Sequence, residues 1–418
     1  MVTVKKPLFY GWIVAGACFT IATLIFGSLF TFGVFLVPFQ KNFGWTTAGV
    51  SGAYSLGLLN YTVFGMLSGW GVDRYGPRKT VIAGAVFIAL GLVSASRIST
   101  ICGLYLAYVL IGVGASAGYA PLTTTVSRWF SRHRGLALGI YSSGLGFGPL
   151  LAAPVLSHII GTSGWRSAYL FLAATTIIII AAAVFLKKGP AQIREVSDGI
   201  SENNNVTASS PKKRREIIIE DWGLTLRQAM VTRTFWLLAS MYLMTGISIQ
   251  MVMAHIVAYG INTGMSPIRS STVLSAISGT SIAGRLVMGT ASDWIGRKRA
   301  LTACLATEGV MIFWLAGSSH IWMLFLFGVV FGFAYGGHAT VYPALVGEIL
   351  GLRHMGKIIG VIAFFWGIGG AFGPFLAGYL LDTTGSYARA FQVGAMGMLI
   401  AGILSMIVKK PISVESNA

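Results

Sequence analysis

Apolar residues fall in twelve long runs along the chain, at 9–38, 48–72, 80–97, 102–127, 135–158, 167–186, 234–261, 270–292, 300–317, 321–346, 357–381 and 388–408. A helix rises about 1.5 Å per residue, so each run is long enough to cross about 30 Å of hydrocarbon, some with tilt. Short polar turns separate the runs, with one exception. Residues 189–230 are rich in Lys, Arg, Glu, Asn and Ser and lack apolar periodicity. They predict a polar linker between a six-helix half at 1–188 and a second at 231–418. Within the linker, 224–233 reads as a short surface helix. The first run follows Lys5 and Lys6 and precedes no small-residue cleavage site, so it reads as a span rather than a signal peptide.

Composition agrees with that pattern. Of 418 residues, 55% are hydrophobic and only 10% charged, and mean hydropathy is +0.75. These values predict an all-α membrane protein. The net charge of +18 would suit nucleic acid, but its placement argues otherwise. With the N-terminus in the cytoplasm, only Lys41, Arg97, Arg166, Arg269 and Arg389 face outward, and Arg285 alone lies inside a span. Every other Lys and Arg faces inward, as the positive-inside rule requires. The charge is therefore a topology signal with attraction to anionic lipid. Both termini are expected to be cytoplasmic, in a cell (inner) membrane. Cys18, Cys102 and Cys304 lie in apolar runs without metal-ligand spacing. The chain has no P-loop and no nucleophile elbow, so neither a cofactor nor enzyme chemistry is expected.

Arg285 is the residue around which the pattern turns. It follows Ser281 and Ser278 on one helical face. It sits about 12 Å from the polar loop at Asp293 and Arg297. An arginine at that depth costs roughly 2.5–3.5 kcal/mol on insertion scales. It therefore reads as facing a wet cavity, where one cation suits one carboxylate.

The halves repeat. Gly69-Trp-Gly-Val-Asp73-Arg74-Tyr-Gly76-Pro-Arg78-Lys79 recurs as Gly289-Thr-Ala-Ser-Asp293-Trp-Ile-Gly296-Arg297-Lys298, and Gly135, Gly148-Pro149 and Gly164 recur as Gly356, Gly373-Pro374 and Gly385. An even number of spans per half makes these parallel repeats, and such proteins hold substrate between the halves near the midplane. The paired loops resemble the signature of the major facilitator superfamily over the whole chain. Within it, Tyr10-Gly-Trp-Ile-Val14 resembles the first-helix motif of monocarboxylate transporters. So do Tyr119-Ala-Pro121 and the following Arg128-Trp-Phe-Ser-Arg-His-Arg134-Gly-Leu-Ala-Leu-Gly139. The segment Thr225-Leu-Arg-Gln-Ala with Thr234-Phe-Trp-Leu-Leu is similar to bacterial members and to oxalate–formate antiporter-like proteins.

The resemblance implies two pseudo-symmetric six-helix halves and a secondary transporter, with Arg285 matching the eighth-helix arginine that takes the substrate carboxylate. Animal members carry an aspartate four residues before that arginine and a first-helix lysine, both implicated in proton coupling. Here those positions hold Ser281 and Phe30. The expected substrate site is Arg285, Tyr119, Ser281, His255, Phe30 and Phe365. His255 belongs to a semi-polar stripe with Ser248, Met251 and Tyr259, in a helix expected to line the cavity. The protonatable candidates are His255 and Glu308. Asp73, Arg74, Asp293 and Arg297 are expected to gate the inner side. The expected partners are a small monocarboxylate such as lactate or pyruvate, protons and lipid, with no nucleic acid and a monomeric carrier. Proton-coupled symport is the leading reading, and proton-independent exchange of the oxalate–formate kind is the alternative.

Overall fold

The structure is a computed structural model that describes residues 9–130, 133–189, 223–351 and 353–409. Most of the expected linker, and Lys5, Lys6 and Lys410 at the chain ends, lie outside those residues. In chain order the helices are α1 (Tyr10–Leu29), α2 (Gly33–Phe43), α3 (Thr47–Tyr75), α4 (Pro77–Ser96), α5 (Ile101–Ala115), α6 (Ala120–Trp129), α7 (Arg134–Ala183), α8 (Leu226–Val231), α9 (Arg233–Asn262), α10 (Pro267–Ile295), α11 (Arg297–Ala316), α12 (Ile321–Leu350), α13 (Met355–Thr384) and α14 (Tyr387–Ile407). No strand occurs among the described residues. The short surface helix expected at the end of the linker is α8, started by a reciprocal capping box between Thr225 and Gln228.

Nine stretches are long and apolar enough to cross a membrane, counting α1 with α2 and α5 with α6 as single stretches. The pseudo-equivalent α3 and α10 are the more polar pair, because they line the contact between halves. Adding them, and dividing α7 at Gly164, gives twelve spans. At Gly164, φ is 82°, and its repeat partner Gly385 ends α13 at φ 69°. Gly76 and Gly296, the turning points of the two signature loops, have φ of 85° and 90°. That left-handed region is open to glycine and costly for other residues, so the loop repeat is also a backbone repeat.

Two expected spans are broken. The first divides into α1 and α2 at residues 30–32, and the fourth into α5 and α6 just before Ala120-Pro121. Proline lacks an N–H and suits a first helical turn, so the chain restarts there instead of continuing.

In lipid, apolar side chains gain little by meeting each other, and close backbone approach holds helices together. Gly328, Gly332 and Gly336 on α12 lie against Val273, Ile277 and Ser281 on α10, every fourth residue on both helices. Gly144 and Gly148 do the same for α7 against α1, and Gly369 and Gly373 for α13 against α9.

The signature loops and the start of α1 share one end of the molecule, here called the basic face. Across the opposite face the halves are closed. Asp382 at the end of α13 accepts the backbone N–H groups of Thr47 (3.1 Å) and Ala48 (2.7 Å) at the start of α3. The N–H of Phe375 donates to Ser55 Oγ at 3.2 Å, and Ser275 Oγ donates to the Leu150 carbonyl at 2.8 Å. Gly33 on α2 packs against the carbonyl of Ala254 on α9. These contacts between the halves, with that of Arg285, lie at the depth of Arg285 or nearer the closed face.

Candidate functional site

Arg285 lies on α10 about 15 Å from the basic-face end of the helix. Its Nη1 donates to the carbonyl of Ser142 on α7, in the other half, at 2.7 Å. Its Nε is buried and meets no acceptor, and among the described residues no carboxylate pairs with it. A half-buried guanidinium with a spare buried donor can take a further acceptor.

Tyrosines from both halves lie within electrostatic range of it. Tyr119, Tyr242 and Tyr335 each interact electrostatically with Arg285, and Tyr61 interacts with all three tyrosines. Tyr119 stands at the break between α5 and α6, so its backbone turns the side chain out of the helical line. It remains 48% exposed. With partners on α3, α9, α10 and α12, that exposed surface faces the space between the halves and not lipid. The arrangement gathers one cation and several tyrosines from both halves, a set that suits a small anion with one or two further polar atoms.

The other expected site residues are placed differently. Ser281 is buried, its hydroxyl donates to the Ser278 carbonyl at 2.7 Å, and its backbone backs onto Gly336. It braces α10 against α12. Phe30 is buried and stacks on Phe26 at 5.4 Å, and it is Phe26 that meets Tyr61. Phe365 stands edge-on to Trp236, whereas its neighbour Trp366 lies 6.4 Å from Tyr242.

His255 lies away from Arg285. It is fully buried, with Nε2 3.0 Å from the Pro374 carbonyl and 3.3 Å from Ser51 Oγ. A carbonyl only accepts, so Nε2 carries the hydrogen. Counting residues along α9 and α10 separates His255 from Arg285 by about 16 Å of depth. The whole stripe is a packing seam. Ser248 donates to the Gly394 carbonyl at 2.7 Å and Tyr259 to the Ser318 carbonyl at 2.5 Å, while Met251 packs with Ala377 and Ala390. A stripe spaced by three and four reports a shared face, not what covers it.

The loop charges pair within halves. Asp73 accepts from Arg128 at 2.6 Å, and Arg297 approaches Asp293 at 3.5 Å and Glu348 at 3.8 Å. Arg74 lies over the Trp70 ring at 5.3 Å. Among the described residues none of the four bridges the halves, as befits a molecule closed at its opposite face. Glu308 is fully buried on α11, and its Oε1 lies 3.3 Å from Nδ1 of the equally buried His338 on α12.

Sequence reasoning did not single out Tyr61, Tyr242 or Tyr335. Periodicity relates residues on one helix, and these stand on three. No metal-binding group of His, Cys, Asp or Glu occurs among the described residues.

Comparison with known proteins agrees with this architecture. The model of the Major Facilitator Superfamily matches residues 18–294 and again 237–417. Monocarboxylate transporter 13 of Rattus norvegicus is 29% identical over 406 residues, covering 94% of this chain and 87% of its own. Monocarboxylate transporter 11 of Homo sapiens is 27% identical over 407 residues, with 94% and 81% covered. Monocarboxylate transporter 12 of Homo sapiens is 24% identical over 413 residues, with 94% and 80% covered. Among solved structures, a bacterial homologue of the human lysosomal transporter Spinster, in an inward-facing and unoccupied conformation, superposes with a TM-score of 0.66 at 16% identity. It covers 97% of this chain and 96% of that one, which concerns the fold alone. The fold is that of a membrane transporter and not of an enzyme. The chain is similar to monocarboxylate transporters and belongs to the major facilitator superfamily.

Proposed function

We propose that this protein carries small monocarboxylates, of lactate or pyruvate size, across a cell membrane by alternating access, with Arg285 as the carboxylate clamp. One observation carries the reading: the half-buried Arg285 reaches across to the other half through Ser142, keeps a buried Nε without a partner, meets no carboxylate among the described residues and lies within electrostatic range of Tyr119 and Tyr335. A substrate carboxylate takes two of its N–H groups side by side, while Tyr119 and Tyr335 bond the remaining substrate oxygen. A dianion would want a second cation, and Arg285 is the single Lys or Arg inside a span.

The basic face is the cytoplasmic one, so the described conformation is open inward and closed outward. Both termini are then cytoplasmic. A carboxylate bound at Arg285 competes with the Ser142 carbonyl for donors, which loosens a contact between the halves as the site fills. A proton travels with each carboxylate, so that the loaded carrier adds no net charge to the membrane interior.

Uptake of labelled pyruvate into liposomes holding the purified protein tests this reading. Uptake rises with an imposed inward proton gradient and collapses when the gradient is dissipated. An absence of uptake, with or without internal carboxylate, contradicts the transporter reading for this substrate. Uptake that ignores the gradient but follows internal carboxylate makes the protein an exchanger.

A further inference from the structure

Of the five described acidic residues, Asp73, Asp293, Glu348 and Asp382 are exposed and Glu308 alone is buried. No lysine or arginine pairs with it among the described residues, and the neighbouring ionisable group is His338 at 3.3 Å. The contact is poorly aligned for a hydrogen bond, and Oε2 of Glu308 and Nε2 of His338 have no partner at all. A pair this bare is neutral only while it holds one proton, on either member. Without that proton it is a buried negative charge.

The pair lies close to the clamp. Glu308 is about 16 Å from the basic-face end of α11, and Arg285 about 15 Å from that end of α10. Tyr335 interacts with Arg285 on one side and with Glu308 on the other. One turn away, Gly337 of α12 receives Met288 of α10 and Cys304 of α11 together. The groups facing the pair are Tyr335 on α12, Cys304 one turn back on α11, the rings of Tyr242 on α9 and Tyr342 on α12, each 6.1 Å from His338, and Arg285 through Tyr335. From α14 comes the aliphatic Leu399 beside Gly309.

We infer that the Glu308–His338 pair carries the coupling proton, in place of the aspartate and lysine that this chain lacks at positions 281 and 30. The inference rests on the proposed carboxylate clamp and deepens it. Charge balance gives the mechanism. When empty and deprotonated, Arg285 and the pair sum to zero. When loaded with one carboxylate and one proton, they again sum to zero. With either ligand alone the site carries a full charge, which the membrane interior disfavours. Only the two balanced states cross readily, so proton and carboxylate move together, one for one.

Glu308→Gln fixes the pair in its neutral form. The empty carrier then holds an uncompensated Arg285 and returns slowly, whereas the loaded carrier stays balanced in both directions. In proteoliposomes, gradient-driven pyruvate accumulation falls by about 50-fold or more, the factor set by burying one charge. Pyruvate counterflow against internal pyruvate persists. Glu308→Asp, which keeps the acid, retains gradient-driven accumulation. If Glu308→Gln inserts poorly, His338→Gln and proton uptake by solubilised wild type on adding pyruvate replace it. A variant in which both activities fall together, accumulation that survives Glu308→Gln, or pyruvate binding without proton uptake overturns the assignment. Wild type that performs counterflow but ignores the gradient sinks this inference and leaves the carrier standing. Wild type that moves no pyruvate in either assay sinks the carrier reading itself.

Discussion

Removing the charge of Asp382 should open the closed face. Its carboxylate accepts two N–H groups from the first turn of α3, at 3.1 and 2.7 Å, and so ties the end of α13 to the start of a helix in the other half. Those N–H groups have no partner inside their own helix, and the helix dipole adds positive potential there. Such a carboxylate is worth about 0.3–1 kcal/mol when exposed and up to about 2 when partly buried. Two short bonds argue for the upper end, but Asp382 is exposed, so solvent screening brings the figure to about 1 kcal/mol. That is roughly a fivefold change in an equilibrium constant. Asp382→Asn keeps the shape and one acceptor while losing the charge. Spin labels at Lys41→Cys and Thr383→Cys report the separation of the halves at this face by double electron–electron resonance. The long-distance population should grow about fivefold over the singly labelled parent background. The corresponding change at Asp73, which pairs within its own half, should leave the distribution unaltered. An unchanged distribution in Asp382→Asn, or equal responses to the two changes, refutes the reasoning.

Two further outcomes follow from packing and from the tyrosine ring. Gly336→Ala places a methyl on the Ser281 carbonyl and should cost about 1–3 kcal/mol by overpacking, read as lowered thermal stability with weakened pyruvate binding. Gly356→Ala, where an added methyl meets nothing, is the control. Tyr119→Phe removes one hydroxyl beside Arg285 and should weaken pyruvate binding by about 0.5–1.5 kcal/mol, or roughly threefold to tenfold, in titration calorimetry.

Much of the fold was legible because bilayer thickness and the inability of lipid to satisfy backbone groups leave a small menu. The signature loops around Asp73 and Asp293 gave the repeat, and glycines with positive φ occupy equivalent turns in the structure. Arg285 was legible because a lone arginine in an apolar run has few tolerable environments. The surroundings of Arg285 were not. Tyr61, Tyr242 and Tyr335 meet only after helices from both halves pack, and no spacing along one helix announces that. The stripe through His255 misled for the converse reason. His255 Nε2, Ser248 and Tyr259 bond carbonyls of α13, α14 and the turn after α11, which makes a seam look like a lining. His338 and Glu308 are 30 residues apart in sequence, and only the packing of α11 against α12 makes them a pair.

The central claim is that Arg285 binds the substrate carboxylate. Its most direct test is the affinity of solubilised protein for pyruvate in wild type, Arg285→Lys and Arg285→Gln, with circular dichroism confirming equal helicity. Hydrogen bonds to charged groups contribute about 1.5–3 kcal/mol each. Losing a bidentate pair to glutamine should therefore weaken binding at least about 100-fold. Lysine keeps the charge but not the fork and should fall between. Affinities for Arg285→Gln within about threefold of wild type would contradict the account.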